Sequence, residues 1–273
     1  MTFKHRHRGE IFVRRVFAIR AWSALAPGLQ EPVQWRQWAR QPILPQGEVR
    51  PDLAHIPPIA RRRLGPLARC AVVPADTVAA HAALADLPVV WASRYGDAEK
   101  SLALLQAQAL GEAVSPTAFG LAVHNGIGAQ HSILRGMRAN ALCVASTDCA
   151  PEAGMVEALG LLHEGAPQVM LVCYDAPLPA PYDGFHTEPQ VVFAWAVLLQ
   201  WAAPGESGFL LSRQPGMDAA QPEPARAPHL QHLPHGLQVL QFLLHDGQAS
   251  LAGPQRPAQR RGAGGWRWER AHG

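Results

Sequence analysis

Two almost uninterrupted apolar runs limit the folds open to this chain more than any other feature. They are QVMLVCYD (168–175) and VVFAWAVLLQWAA (191–203), and polar residues, Gly or Pro bound each of them. Short apolar runs of this kind are typical of strands buried on both faces, which occur in sheets that helices cover. Neither run reaches the roughly 18 to 20 apolar residues that a membrane helix needs. We therefore expect buried strands and no membrane insertion.

Strand and helix patterns alternate around these two runs. Apolar runs closed by turn residues predict strands, and apolar residues at helical spacing predict helices, among them one that begins with Ser115 as its N-cap and continues past its glycines to Gly136. Repeated strand–helix–strand units predict an α/β domain with a mainly parallel (mixed) sheet covered by helices on both faces. The further strand patterns are VFAIRAWSALAPGL (16–29) and PVVWASR (88–94), and the further helix patterns are residues 61–84 and DAEKSLALLQAQALG (97–111).

The ends of the chain have a different character. We expect residues 1–15 to be a disordered leader, because an end that no element ties down stays loose. The last segment, 206–273, contains a Pro-rich linker, an apolar pattern over LQVLQFLLHDG (237–247) and the alternation WRWER (266–270). It predicts a linker, a short helix and a terminal edge strand that pack on the domain.

Composition excludes several classes of function. The 24 Lys and Arg residues nearly balance 21 Asp and Glu, and lysine occurs only at Lys4 and Lys100, so nothing indicates a nucleic-acid surface. The four cysteines lack metal-ligand spacing, which favours reduced thiols in the cytoplasm and no metal site. No dinucleotide fingerprint or phosphate-binding glycine loop is present. We expect no cofactor.

The stretch ALCVASTDCAPEAGMVEALGLL (141–162) carries the clearest chemistry. Its pattern is strand, tight turn and helix, and it places Cys149 at the start of the helix. A helix N-terminus favours a thiolate, whereas the neighbouring Asp148 opposes one and is itself a good N-cap. Cys149 is therefore either a nucleophile or an ordinary thiol in a helix cap.

Histidines that could assist such a cysteine are sparse. We interpret His124 and the adjacent Asn125 as a partly buried polar pair. His229, His232 and His235 recur every third residue, but prolines interrupt any helix that would align them, so we expect a solvated loop.

Three ordered segments and the end of the chain carry a family resemblance. Residues 16–205, with GGWRWER (264–270), resemble the short proteins related to the N-terminal half of β-ketoacyl-acyl-carrier-protein synthases, the chain length factor type. The resemblance implies a thiolase-like half-domain over 16–205 whose five-stranded sheet lies between helices. The segments are RRRLGPLARCAVVPA (61–75), VVWASRYGDAEKSLALLQAQALGEAVSPTAFGLAVHNGIGAQHSI (89–133) and ASTDCAPEAGMVEALGLLHEGAPQVMLVCYDAPLPAPY (145–182).

The resemblance also implies a role for Cys149. STDC (146–149) is similar to the setting of the synthase nucleophile, although an ungapped pairing would place Asp148 there. In the family, two histidines from a second half assist condensation, and we expect this chain to end before such a half. The resemblance thus leaves open whether the chain is itself an enzyme.

The resemblance further implies partners. We expect a non-catalytic subunit that pairs with a full-length ketosynthase in type II fatty acid, polyketide or aryl-polyene-like biosynthesis, and that meets acyl carrier protein through that partner. Phe119, His124 and Asn125 would then lie at an acyl tunnel or at the subunit interface. The alternative is an acyl-transfer subunit that uses Cys149 with histidines supplied by the partner.

Overall fold

One mixed β-sheet organises the chain. The computed structural model describes residues 15–214, 232–254 and 265–272, so residues 1–14 of the expected leader and most of the Pro-rich linker lie outside the described residues. The strands are β1 (Phe17–Leu25), β2 (Val89–Ser93), β3 (Ala141–Ala145), β4 (Val169–Asp175), β5 (Phe193–Trp201), β6 (Gly208–Gln214), β7 (Ser250–Ala252) and β8 (Gly265–Ala271). The α-helices are α1 (Pro32–Arg40), α2 (Pro58–Arg63), α3 (Pro66–Ala79), α4 (Ala98–Ala109), α5 (Pro116–Ala122), α6 (Gly126–Arg135), α7 (Ala150–His163) and α8 (His235–Leu244). Two 3₁₀ helices span Leu84–Asp86 and Ala180–Phe185.

The described strands follow the order β3-β2-β4-β5-β1-β6-β8-β7. Strand β2 pairs in parallel with β3 and β4, whereas the other described pairs are antiparallel. Parallel pairing needs a crossover, and helices supply one from β2 to β3 and another from β3 to β4. The α/β class with a mixed sheet is confirmed, and the first five strands form one contiguous part of it. The sheet is not mainly parallel, because only two of the seven described strand pairs are parallel.

The sheet has eight described strands instead of the expected five. Strands β6, β8 and β7 come from residues after Trp201 and extend the same sheet beyond β1. The alternating segment 266–270 lies in β8, which pairs with both β6 and β7, so the prediction of an edge strand is wrong. Alternating apolar and polar residues indicate that the two faces of a strand have different surroundings. They do not indicate whether the strand pairs with one neighbouring strand or with two.

Helices cover both faces of the sheet. Helix α3 and the start of α6 pack on one face, and α1, α7 and α8 pack on the other. Helix α8 is buried from His235 to Leu243, which places it within the structure and not at its surface. No helix among the described residues is long and apolar enough to span a bilayer.

The helix expected from Ser115 to Gly136 is broken in two. Ser115 caps α5 as predicted, because its hydroxyl accepts a hydrogen bond from the amide of Ala118 at 3.3 Å. The chain then becomes extended at Val123 and restarts as α6. A Cβ at Gly126 would lie 2.6 Å from the carbonyl oxygen of Leu121, so this tight restart requires glycine.

Close packing of α7 on the sheet depends on Gly154. A Cβ there would lie 2.7 Å from both the Ala92 Cβ and the Leu171 Cδ1. We expect Gly154→Ala to destabilise the protein by about 1 to 3 kcal/mol through overpacking, measured by urea unfolding. Gly160 lies on the same helix with open space around it, so Gly160→Ala should be neutral or stabilising. Equal effects of the two substitutions would contradict this packing.

Candidate functional site

Cys149 lies where the segment after β3 enters α7. It lies at the start of that helix, as the sequence predicts, and is half-buried; it is the N-cap itself, in place of the neighbouring Asp148. Its Sγ lies 3.2 Å from the Ser146 hydroxyl oxygen, and its amide donates a hydrogen bond to the same oxygen at 3.4 Å. The unpaired amides at a helix N-terminus favour negative charge. The position is therefore one in which a thiolate or an acyl oxygen could be stabilised.

Arg94 fixes the turn that precedes Cys149. Its Nε donates to the Thr147 carbonyl at 2.7 Å, and its Nη2 donates to the Thr187 hydroxyl at 2.8 Å. Its Nη1 lies 3.3 Å from Glu188 Oε2, and both side chains of this ion pair are only 9% exposed. One guanidinium thus connects the Cys149 turn to the segment before β5. Sequence reasoning missed this role, because these three partners of Arg94 lie 53 to 94 residues away.

Asp175 ends β4 beside Arg94. Its Oδ1 accepts hydrogen bonds from the Ser93 hydroxyl at 2.8 Å and from the Arg94 amide at 2.9 Å. Burial raises the pKa of Asp175 to about 7, against these hydrogen bonds and the charge of Arg94, which lower it. The group therefore binds a proton in the folded state at pH values where the unfolded chain has lost it.

This raised pKa makes stability depend on pH. Between about pH 4 and pH 7 the folded state holds more protons on Asp175 than the unfolded state, so its contribution to stability falls as pH rises. The Asp175→Asn variant lacks this titrating group. We expect its free energy of unfolding, relative to that of the wild type, to rise by about 1.4 kcal/mol per pH unit between about pH 4 and pH 7 and to stay constant at higher pH. Urea unfolding from pH 4.5 to 8 measures it. A constant difference would contradict the raised pKa.

A second buried polar cluster joins α7 to the C-terminal segment. Glu152, in the first turn of α7, is fully buried, and its Oε1 lies 2.7 Å from His235 Nε2 and accepts a hydrogen bond from Trp268 Nε1 at 2.8 Å. Burial opposes ionisation, but the charge of His235 and the hydrogen bonds from His235 and Trp268 hold the pKa of Glu152 below its usual value. The His235 amide also donates to Glu188 at 2.8 Å.

The prediction of a solvated histidine loop is wrong for His235. This histidine is 2% exposed at the start of α8. His232 is exposed, with Nε2 2.9 Å from the Pro42 carbonyl oxygen, and His229 lies outside the described residues. The available signal was the place of Glu152 on the apolar face of α7, three residues before the buried Met155, because a buried carboxylate requires a partner. Its position in the chain could not indicate which histidine, since Glu152 and His235 are 83 residues apart.

His124 and Asn125 lie between α5 and α6. The Nε2–H of His124 donates to the Val144 carbonyl at 3.1 Å, and the side chain is half-buried. Asn125 is exposed and occupies the N-cap of α6 without a capping hydrogen bond from its side chain. His124 and Cys149 therefore flank the same end of β3. The roles of His124 and Asn125 at an acyl tunnel or at the subunit interface stay predictions.

Exposed apolar side chains lie on and between α4 and α5, which α6 connects to the edge strand β3. Helices α4 and α5 contain no buried residue, and β3 pairs only with β2 among the described strands. We call residues 98–122, which contain α4 and α5, together with strand β3 the β3 edge surface. Unpaired strand edges and exposed apolar groups are typical of surfaces that bind another protein. Its large exposed side chains are Leu105 (53% exposed), Leu110 (75%), Val114 (37%) and Phe119 (62%).

Comparisons with known proteins identify related chains. Residues 35–269 match the family model described as "Beta-ketoacyl synthase, N-terminal domain". No curated protein matches the chain. A chain in the structure of the ketosynthase ApeO in complex with its chain length factor ApeC, from Xenorhabdus doucetiae, is similar with a TM-score of 0.76 and 25% identity. The alignment covers 93% of this chain and 99% of that one, so the two have nearly the same length.

Two further structures share the fold at lower identity. One is the ishigamide ketosynthase/chain length factor, with a TM-score of 0.57, 16% identity and coverage of 73% of this chain and 68% of that chain. The other is AntDE:AntF, a type II polyketide synthase acyl carrier protein in complex with its ketosynthase, with a TM-score of 0.55, 13% identity and coverage of 74% and 71%. The expected thiolase-like ketosynthase fold is confirmed.

Proposed function

Because the chain belongs to the β-ketoacyl synthase N-terminal domain family, we propose that it is a non-catalytic subunit of the chain length factor type. It pairs with a full-length ketosynthase in the cytoplasm and serves a type II fatty acid, polyketide or aryl-polyene-like pathway. One observation carries the proposal: the chain aligns over nearly the full length of a chain in a ketosynthase–chain length factor complex. Acyl carrier protein meets the pair through the ketosynthase.

We propose that the ketosynthase binds to the β3 edge surface. Strand β3 pairs with no other described strand on its outer side, and α4 and α5, which α6 connects to β3, present exposed apolar side chains. A partner that adds a strand there would satisfy the backbone groups and bury the apolar ones. Phe119, His124 and Asn125 would then lie at the boundary with the partner, where Phe119 could limit the length of an acyl chain by its bulk.

The side-chain contacts of His124 and His235 support a role without chemistry of its own. Condensation needs groups that stabilise the developing enolate and oxyanion, and histidines supply this help in the family. In this chain His124 binds the Val144 carbonyl, and His235 binds the carboxylate of Glu152. Neither is available in this arrangement to assist Cys149 during condensation.

Reconstitution tests the proposal. We expect the purified chain alone to leave an acyl-carrier-protein thioester and malonyl-carrier-protein unextended, whereas its complex with a ketosynthase from the same genome should extend the acyl chain. The ketosynthase alone should give less product or products of other lengths, measured by intact-protein mass spectrometry. Extension by the chain alone would contradict the proposal.

A second candidate function rests on the position of Cys149. A thiol at a helix N-terminus, 3.2 Å from a hydroxyl, could accept an acyl group if a partner supplied the histidines. The non-catalytic account predicts that the complex containing Cys149→Ala keeps its full output. The acyl-transfer account predicts that output falls by about 100-fold or more and that the wild-type chain gains the mass of one acyl group.

Cys143 provides a matched control for this test. It lies in β3, and burial raises its pKa to about 11, so it stays protonated at neutral pH. Cys143→Ala should therefore leave acylation unchanged. An acyl adduct on the wild type that persists in Cys149→Ala and disappears in Cys143→Ala would contradict both accounts.

A further inference from the structure

A cavity of about 470 Å³ lies on the α1 and α8 face of the sheet. Its floor is apolar and comes from three strands and α8. This volume is within the range of roughly 300 to 1,000 Å³ that small-molecule sites occupy. The floor residues are Ile19 and Trp22 of β1, Val197 of β5, Phe209 of β6 and Leu240, Leu243 and Leu244 of α8; Ile19, Trp22 and Leu244 are partly exposed and the others are buried.

Positive charge surrounds this floor. Arg36 and Arg40 are four residues apart on α1, so their side chains lie on one face of the helix. Neither forms an ion pair with a carboxylate of the described residues, and the Arg36 guanidinium carbon lies 5.9 Å from the Trp22 ring centroid. Both guanidiniums therefore remain available to an anion that enters the cavity.

The other charged lining groups do not cancel the two arginines. Arg270 lies between the Phe209 and Phe242 rings and donates to carbonyls at the end of α8, so it serves as part of the wall. Asp246 is the one carboxylate among the described lining residues, and His245 is beside it. Three guanidiniums against one carboxylate leave the cavity net positive.

Two features together define the ligand. Guanidiniums pair with carboxylates through planar, charge-assisted hydrogen bonds. An apolar floor gains free energy when hydrocarbon covers it. We propose that this cavity binds an amphipathic organic anion, a carboxylate that carries a hydrocarbon chain. Arg36 and Arg40 hold the carboxylate, and the floor residues contact the chain.

The site is separate from the β3 edge surface. Its floor comes from β1, β5 and β6, whereas β3 is at the far end of the sheet order, beyond β2 and β4. The inference therefore goes beyond the proposed partner function, and either can fail without the other.

Calorimetric titration of the full chain with sodium dodecanoate, below its micelle concentration, tests the inference. We expect one molecule bound per chain and at least tenfold weaker binding to the Arg36→Gln/Arg40→Gln variant. Arg62→Gln/Arg63→Gln removes the same charge from the exposed face of α2, outside the cavity, and should bind as the wild type does. Dodecan-1-ol and inorganic phosphate should each bind at least tenfold more weakly than dodecanoate.

Three results would overturn the inference. They are unchanged dodecanoate binding by the Arg36→Gln/Arg40→Gln variant, equal weakening in the Arg62→Gln/Arg63→Gln control, and phosphate or dodecanol binding as tightly as dodecanoate. Circular dichroism of both double variants confirms that each is folded before titration.

Discussion

Replacement of Glu152 with Ala should lower the free energy of unfolding by about 3 to 5 kcal/mol, because it removes one partner from a buried charged pair. His235 would lose the carboxylate that lies 2.7 Å from its Nε2, and the Trp268 indole N–H would lose its acceptor inside the core. The cluster joins α7, α8 and β8, so the loss should loosen the C-terminal segment as a unit. Urea unfolding followed by circular dichroism measures the change.

Glu157 supplies the matched control for this prediction. It is an exposed glutamate on the same helix, so Glu157→Ala should change stability by no more than about 0.5 kcal/mol. Glu152→Gln keeps an acceptor for Trp268 and should fall between the two. If Glu152→Ala cost less than about 1 kcal/mol, the buried cluster would not hold the C-terminal segment in place.

Introduction of a charge at Phe119 should disrupt pairing with the ketosynthase. Phe119 is 62% exposed on α5, within the β3 edge surface, so Phe119→Asp should not disturb the fold of the free chain. In a complex it would bury an unpaired carboxylate at the boundary with the partner. We expect a loss of about 2 kcal/mol or more, which is about a 30-fold higher Kd by surface plasmon resonance.

Substitution of Ile59 provides the matched control for Phe119→Asp. It is 72% exposed on α2, outside the β3 edge surface, and Ile59→Asp should leave the affinity unchanged. If the wild type and Phe119→Asp bound the ketosynthase with equal affinity, α5 would lie outside the interface. Equal losses for Phe119→Asp and Ile59→Asp would indicate an effect on the fold instead.

Sequence patterns predicted those strands and helices that depend on residues adjacent in the chain. The apolar runs of β4 and β5 have to be buried wherever they occur, and the strand, turn and helix around Cys149 follow from residues adjacent in the chain. The five predicted strands accordingly form one contiguous part of the sheet.

Contacts between distant residues explain what the sequence did not predict. The environment of Cys149 depends on Arg94, whose partners come from three separate segments. In its buried position His235 is bound by Glu152 from α7 and by Glu188 from the segment before β5. The spacing of the histidines near the Pro-rich segment does not indicate that glutamates bind them. That stretch alone therefore predicts a loop. The added strands β6 to β8 depend in the same way on pairing between distant segments.

Native mass spectrometry of the chain co-expressed with a full-length ketosynthase from the same genome tests the central claim most directly. The account predicts one dominant species whose mass equals one copy of each subunit. Separate peaks for the free chain and for the ketosynthase alone, at concentrations where both are folded, would contradict it.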